Sequence, residues 1–343
     1  MVLPKSKVTI SDVAQEAGVS NSAVSYALNG KPGVSNKTRR KVLDVAEHLG
    51  WRPNSAAKAL SDAKTHNVGL VLTYDTGILS VESYTMELIA GLTTELEKQG
   101  YSLLLRSSQS RQQEVAILKE WVSAGAVDAM LIMNLELGDP RMDLFKHHPD
   151  MPVLALCDVS IADGLPSLSD DAQSAAHLIV DYLHELGHRR IARIAGPETL
   201  EHTFIRDNAF VEEVAELGLQ YSCFHTDYSP DEARASTKRF LQLPERPTAI
   251  VYDSDVMALS SLKTIADMGL RVPDDLSVIS WNNSFMCEVG LPSITALDRN
   301  VVARGRKAAQ MMLALIAGDR VSSQREDDCS LIFRQSSGPL RIH

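Results

Sequence analysis

Residues 8–35 read VTISDVAQEAGVSNSAVSYALNGKPGVS, and their punctuation decides the first domain. Thr9 predicts a helix N-cap, with Asp12 three residues on to close a capping box. Ile10, Val13, Ala14 and Ala17 then recur at helical spacing, and Gly18 supplies a stop. Ser20 predicts the cap of a second helix with Ala23, Val24, Ala27 and Leu28 inward, ended by Asn29-Gly30. Two short helices around a Gly-containing turn are the helix-turn-helix signature. The second helix turns Asn21, Ser22, Ser25 and Tyr26 outward, groups suited to base edges in a major groove. An ordinary helical subdomain would leave that polar face without a purpose.

Downstream, Ser35 predicts the cap of a third helix, from about residue 36 to 48, with Val42, Leu43, Val45 and Ala46 inward. Gly50 ends it, and Trp51-Arg52-Pro53 makes an extended exit. Charge separates this head from the rest. Through Thr65 there are ten Lys or Arg against five acids, a net +5, whereas the remainder carries 24 against 39, a net -15. A basic head on an acidic body predicts that only the head meets a polyanion.

The body, from His66 onward, alternates short apolar runs with amphipathic stretches. VGLVL (68–72), YSLLLRSS (101–108), AMLIMN (129–134) and PVLALCD (152–158) predict four strands, with helices near 82–98 and 111–123 between them. IARIAGP, SCFHT, AIVYD and LSVISWN repeat the alternation. Such a pattern predicts parallel, doubly wound sheets, which bind ligands at the carboxyl ends of their strands.

HELGH (184–188) matches H-E-x-x-H, in which two histidines one helical turn apart hold zinc. Gly187 stands between them and HRRIARIAG follows at once, so a helix stop is expected there rather than a metallopeptidase site. No G-x-S-x-G, G-x-G-x-x-G or P-loop pattern accompanies it, which leaves nucleophilic and nucleotide-dependent chemistry without a motif.

Composition supports a globular protein of more than one domain: 343 residues, 44% hydrophobic and 23% charged. Cys157, Cys223, Cys287 and Cys329 are far apart, which predicts reduced thiols and no metal site. No apolar leader and no apolar run of membrane-spanning length is present, and a cytoplasmic location without membrane association is expected.

TISDVAQEAGVS (9–20) and VSYALNGKPGVSNKTRRKVLDVAEHLGWRPN (24–54) resemble the LacI family of transcriptional regulators, and the resemblance continues down the body. It implies an α/β fold: two doubly wound parallel-sheet lobes of the periplasmic-binding-protein type, preceded by a small all-α helix-turn-helix domain. The implied segments are a DNA-binding head (1–52), a hinge helix and linker (53–66), and an effector and dimerisation domain (67–343). Within the last, the N-lobe takes about 67–166 and 296–323 and the C-lobe about 167–293 and 324–340. The chain would cross between them near Pro166, Ser293 and Ser323.

The resemblance further implies that Asn21, Ser22 and Tyr26 read bases, while Thr9, Ser20, Ser25 and Asn29 set the helix on phosphates. Asn54, Ala57 and Leu60 fall in the hinge helix, with Leu60 the wedge that kinks the operator through its minor groove. The implied effector residues are Tyr74, Asp75, Tyr84, Asp158, Arg206, Ser254, Asp255 and Asn282. The chain departs from the family at Ala23, usually Thr, and at Tyr26, usually Arg. It departs again at Ser254, where Asn is usual, and at Asn282, where an aspartate is usual. The expectation is therefore a homodimer on a palindromic DNA operator, controlled by a small carbohydrate-like effector, with no cofactor, catalytic residue or metal. Two alternatives stand beside it: a ligand-binding module without an operator, and a zinc hydrolase using HELGH.

Overall fold

A computed structural model of the chain describes residues 8–28, 30–51, 64–73, 82–326 and 329–341. Two units separate at Thr65/His66. In the first, α1 (Ile10–Ala17) opens with the capping box: Thr9 and Asp12 each satisfy the other's backbone N–H. Gly18, at φ 64°, turns the chain into α2 (Asn21–Leu28), and α3 (Asn36–His48) starts at the Ser35 cap. Small residues let the three helices close on one another, since the shared core is only Val13, Ala14, Ala17, Val24, Ala27, Val42 and Ala46. Leu43, expected inward, is exposed, because so small a core meets only the narrow stripe of α3 through Val42 and Ala46.

The second unit holds two α/β layers of sheet. One sheet has the order β2-β1-β3-β4, all parallel, from β1 (Asn67–Thr73), β2 (Ser102–Ser108), β3 (Ala129–Ile132) and β4 (Val153–Ala155). A bridge from Ala155 to Ser167 leads on to β5 (Leu168–Asp170), which pairs in parallel with β11 (Gln324–Glu326). Helices α4 (Ser83–Lys98) and α12 (Val301–Ala317) cover one face, and α5 (Arg111–Ala124) and α6 (Arg141–His147) the other. Strands buried on both faces need no polar alternation, which is why they appear as continuous apolar runs.

The other sheet has the order β12-β10-β9-β8-β6-β7. Its strands are β6 (Arg190–Ala195), β7 (Gln220–His225), β8 (Ala249–Tyr252), β9 (Ser277–Ser280), β10 (Thr295–Asp298) and the antiparallel β12 (Ser330–Ile332). Helices α7 (Ala172–Glu185) and α8 (Glu201–Glu216) pack on one face, α9 (Pro230–Leu241) and α10 (Asp255–Asp267) on the other. A short helix, α11 (Phe285–Val289), precedes β10.

The lobes exchange chain later than expected at 166, 293 and 323. Crossings fall after Asp170 and between Asp298 and Val301, and β11 still runs on the N-lobe edge as far as Glu326. β5 and β11 extend the N-lobe edge and β10 belongs to the C-lobe sheet, so each crossing moves downstream.

Helices α4 and α12 meet where Gly91 faces Gly305. A Cβ at Gly305 would stand 2.3 Å from the Leu88 carbonyl oxygen, and one at Gly91 2.1 Å from that of Val302. Both obstacles are backbone, so neither yields by a rotamer change. Gly305→Ala is expected to lower N-lobe stability by about 1–3 kcal/mol, read as a reduced urea midpoint.

HELGH resolves as a helix end. α7 stops at Glu185, Leu186 caps it, and Gly187 reverses the backbone at φ 89°. His188 leaves the helix altogether and is buried. Its Nδ1 lies 2.9 Å from the Thr248 hydroxyl, and its Nε2 3.1 Å from Ser277 Oγ and 3.2 Å from the Gly338 carbonyl. Burial holds its pKa below the usual imidazole value, consistent with a neutral core side chain rather than a partner of His184.

Candidate functional site

On the head, α2 supplies the chemistry. Asn21, Ser22 and Tyr26 are exposed and Ser25 is half-buried, while Ser20 Oγ accepts the Ala23 N–H at 3.2 Å. The amide of Asn21 donates to Ser11 Oγ at 3.2 Å, which orients it from α1. Tyr26 is 44% exposed, and its ring lies beside Gly33, whose φ of 108° suits glycine. Arg39 donates to the Lys31 carbonyl at 2.8 Å, pinning the loop between α2 and α3. Lys31, Lys37, Arg40 and Lys41 are exposed nearby in sequence, cations available to phosphate oxygens. Asn29, Asn54, Ala57 and Leu60 lie outside the described residues.

On the body, strand ends of both lobes converge on a cleft. Tyr84, Asp158, Arg206, Ser254 and Asn282 all line it. Asp255 does not. It is buried at the start of α10 and accepts the Ser83 hydroxyl at 2.9 Å, so it ties one lobe to the other. Tyr74 and Asp75 lie outside the described residues.

Asp253, just past the end of β8, organises the cleft floor. It accepts Arg193 Nε at 2.7 Å on Oδ1, and Arg193 Nη2 at 2.8 Å and Arg206 Nη1 at 3.3 Å on Oδ2. Burial alone would raise its pKa, but the Arg193 and Arg206 charges overcome that and hold it at about 2. Arg206 also lies over the buried Trp281 ring, 4.7 Å from its centroid. The Trp281 indole nitrogen is buried without a hydrogen-bond partner. One turn before Arg206, His202 meets the Tyr228 hydroxyl at 2.9 Å. Burial, then the Arg206 charge, push the His202 pKa down to about 3, so it works here as a neutral donor or acceptor.

The cleft walls carry acceptors. Glu201 Oε1 takes the Asp158 N–H at 2.8 Å, and its own N–H reaches the Leu135 carbonyl at 2.8 Å, so α8 is stitched to the N-lobe. Burial raises the Glu201 pKa. Arg299 donates to Asp170 at 2.5 Å and to the side-chain oxygen of Asn282, and lies 5.4 Å from the Tyr84 ring centroid. Arg304 pairs with the same Asp170. Ser254 spends its hydroxyl on the α10 cap, accepting Met257 N–H at 3.2 Å.

Sequence reasoning passed over Asp253, Trp281, Glu201, His202, Arg299 and Asp170. The signal for Asp253 was available: it ends the run AIVYD as Asp158 ends PVLALCD, but the adjacent Ser254-Asp255 drew the assignment. Glu201 and His202 precede Arg206 by about one turn on the same helix. Arg299 and Asp170 stand at crossings, and only the topology brings them together.

The chain resembles proteins of one kind throughout. Residues 9–54 match the family of bacterial regulatory proteins of the lacI type, and residues 180–337 match a periplasmic binding protein-like domain. The HTH-type transcriptional regulator AglR of Rhizobium meliloti is 30% identical across 97% of this chain and 95% of its own. The crystal structure of a LacI family transcriptional regulator from Bifidobacterium animalis subsp. lactis is 48% identical. It covers 81% of this chain and all of its own, with a TM-score of 0.76. A transcriptional regulator CelR–cellobiose complex is 25% identical, covering 96% of this chain and all of its own, with a TM-score of 0.73.

Proposed function

The chain belongs to the LacI family of DNA-binding transcriptional regulators, and on that premise we propose that it is a homodimeric repressor of a palindromic operator, controlled by a neutral, polyhydroxylated effector in the interlobe cleft. The observation that carries the effector class is the pairing of charge. Glu82, Asp158, Asp170, Glu201 and Asp253 outnumber Arg206, Arg299 and Arg304 along the cleft, and each guanidinium is already bonded to a carboxylate. An anionic ligand would meet a surplus of carboxylates. Vicinal hydroxyls, by contrast, both donate and accept, and suit the mixed acceptors, guanidinium edges and indole N–H assembled there. The cellobiose bound by the similar CelR regulator supports a carbohydrate.

Effector binding would act on the bonds that join the lobes, Glu201 to Leu135 and Asp158, and Ser83 to Asp255. A ligand that fits one lobe angle better than another shifts that equilibrium by its differential affinity. The dimer reading rests on α11 and the turn after it: Phe285, Met286, Val289 and Leu291 are exposed, Leu291 at 89%. So dense an apolar row marks a contact surface. The protein would act in the cytoplasm and perform no catalysis. Among the described residues no helix is long and apolar enough to cross a membrane.

The test is selection of bound fragments from a randomised site, followed by thermal-shift screening of sugars. Salt-dependent binding of a palindrome, weakened by one sugar class, supports the reading; stabilisation by anionic metabolites alone sinks the effector half. The same selection checks α2. Tyr26→Arg is expected to move preference toward guanine at one position in each half-site, by about 1–3 kcal/mol, since a guanidinium pairs bidentately with guanine and a phenol does not. Unchanged preference would remove Tyr26 from the reading face.

A further inference from the structure

Strand β7 is the edge strand of the C-lobe sheet, and its period of two puts Cys223 and His225 on one face. Helix α8 brings Asp207 over the same face. The thiol sulfur, an imidazole nitrogen and a carboxylate oxygen of these residues all lie within 4.8 Å of one another. We propose that Asp207, Cys223 and His225 bind one divalent transition-metal ion of the zinc class, with solvent completing its shell, at a site outside the effector cleft.

The donor set selects the ion class: sulfur and imidazole nitrogen favour zinc or cobalt over calcium or magnesium, which need oxygen. The carboxylate is pre-oriented. Arg193 Nη1 holds Asp207 Oδ1, which leaves Oδ2 facing His225 Nε2 at 2.8 Å. A guanidinium behind a ligating carboxylate is the kind of outer partner that fixes metal ligands. Asp207 and His225 keep 24% and 29% of their side chains exposed, so an ion has a path in. Arg193 is also the residue that grips Asp253, which places the ion one side chain from the cleft floor. Such a site departs from the expectation of four plain thiols and no metal: the third candidate ligand sits on the preceding helix, away from the Cys-x-His pair in sequence.

Full-length protein, stripped with chelator and dialysed, is titrated with Co²⁺ and then with Zn²⁺. The expected result is a single cobalt per chain with a thiolate-to-cobalt absorption band, displaced by zinc. Cys223→Ser should abolish the band with an unchanged melting temperature for the metal-free protein. His225→Ala should weaken zinc binding by more than about 100-fold, beyond the 10–100-fold typical of losing an outer partner. Absence of the band in the unaltered protein overturns the proposal. So does a band that survives Cys223→Ser, which would assign it to another cysteine.

Discussion

An Arg193→Met protein is expected to lose about 3–5 kcal/mol of C-lobe stability, measured by urea unfolding at neutral pH. Arg193 has no exposed surface, and it is the principal partner of a carboxylate that is equally buried. Methionine fills much of the volume but leaves Asp253 with two long contacts on Oδ2, Arg206 Nη1 at 3.3 Å and the Gly196 N–H at 3.4 Å. An uncompensated buried charge costs far more than the pair contributes when intact. A double variant, Arg193→Met with Asp253→Leu, should therefore recover part of the loss, because it removes the stranded charge as well. If the single variant unfolds at the same urea concentration as the parent, the network is not an anchor of the lobe.

Acid should expose the same network. The Asp253 pKa lies at about 2 in the folded chain, below the ordinary value of 3.8. A group depressed in this way contributes its stability in full above about pH 4 and loses it as the pH falls toward 2. The contribution is on the order of 2 kcal/mol, taking about 1.4 kcal/mol for each unit of depression. Arg193→Met should flatten that part of the stability profile between pH 4 and 2.

How much of this was readable beforehand differs by element, for physical reasons. The head was legible because caps and stops are local: Thr9, Asp12, Gly18 and Ser20 act on backbone groups three or four residues away. The lobes were legible as alternation, since strands covered on both faces must be apolar throughout. β5 and β11 were not, because Leu168-Ser169-Asp170 and Gln324-Arg325-Glu326 form neither an apolar run nor a period, and their partnership joins residues 168–170 to 324–326. That is also why the crossings were placed too early. Within the cleft, side chains at strand ends could be guessed from the fold type. Which of them pair could not: Arg193 with Asp253 and Arg299 with Asn282 depend on strand order and on the lobe crossing.

The substitution that tests the cleft is Arg206→Ala. Ligand-free operator binding should be preserved, while the ligand concentration needed to change it should rise by roughly 10–100-fold. That range corresponds to losing a charge-assisted bond worth about 1.5–3 kcal/mol. The geometry separates this outcome from simple damage. Asp253 keeps both bonds from Arg193 when Arg206 is removed, so its charge is not stranded and the fold should hold. What disappears is the guanidinium over Trp281, which lies on the cleft. Arg206→Lys should fall between the two, since an ammonium keeps the charge but has neither the planar fork nor the stacking face. The readout is anisotropy of a labelled operator against increasing ligand, once selection and screening have identified both. If the alanine protein responds at the parent's ligand concentration, Arg206 does not touch the effector. Its role would then be confined to balancing Asp253 beside Arg193.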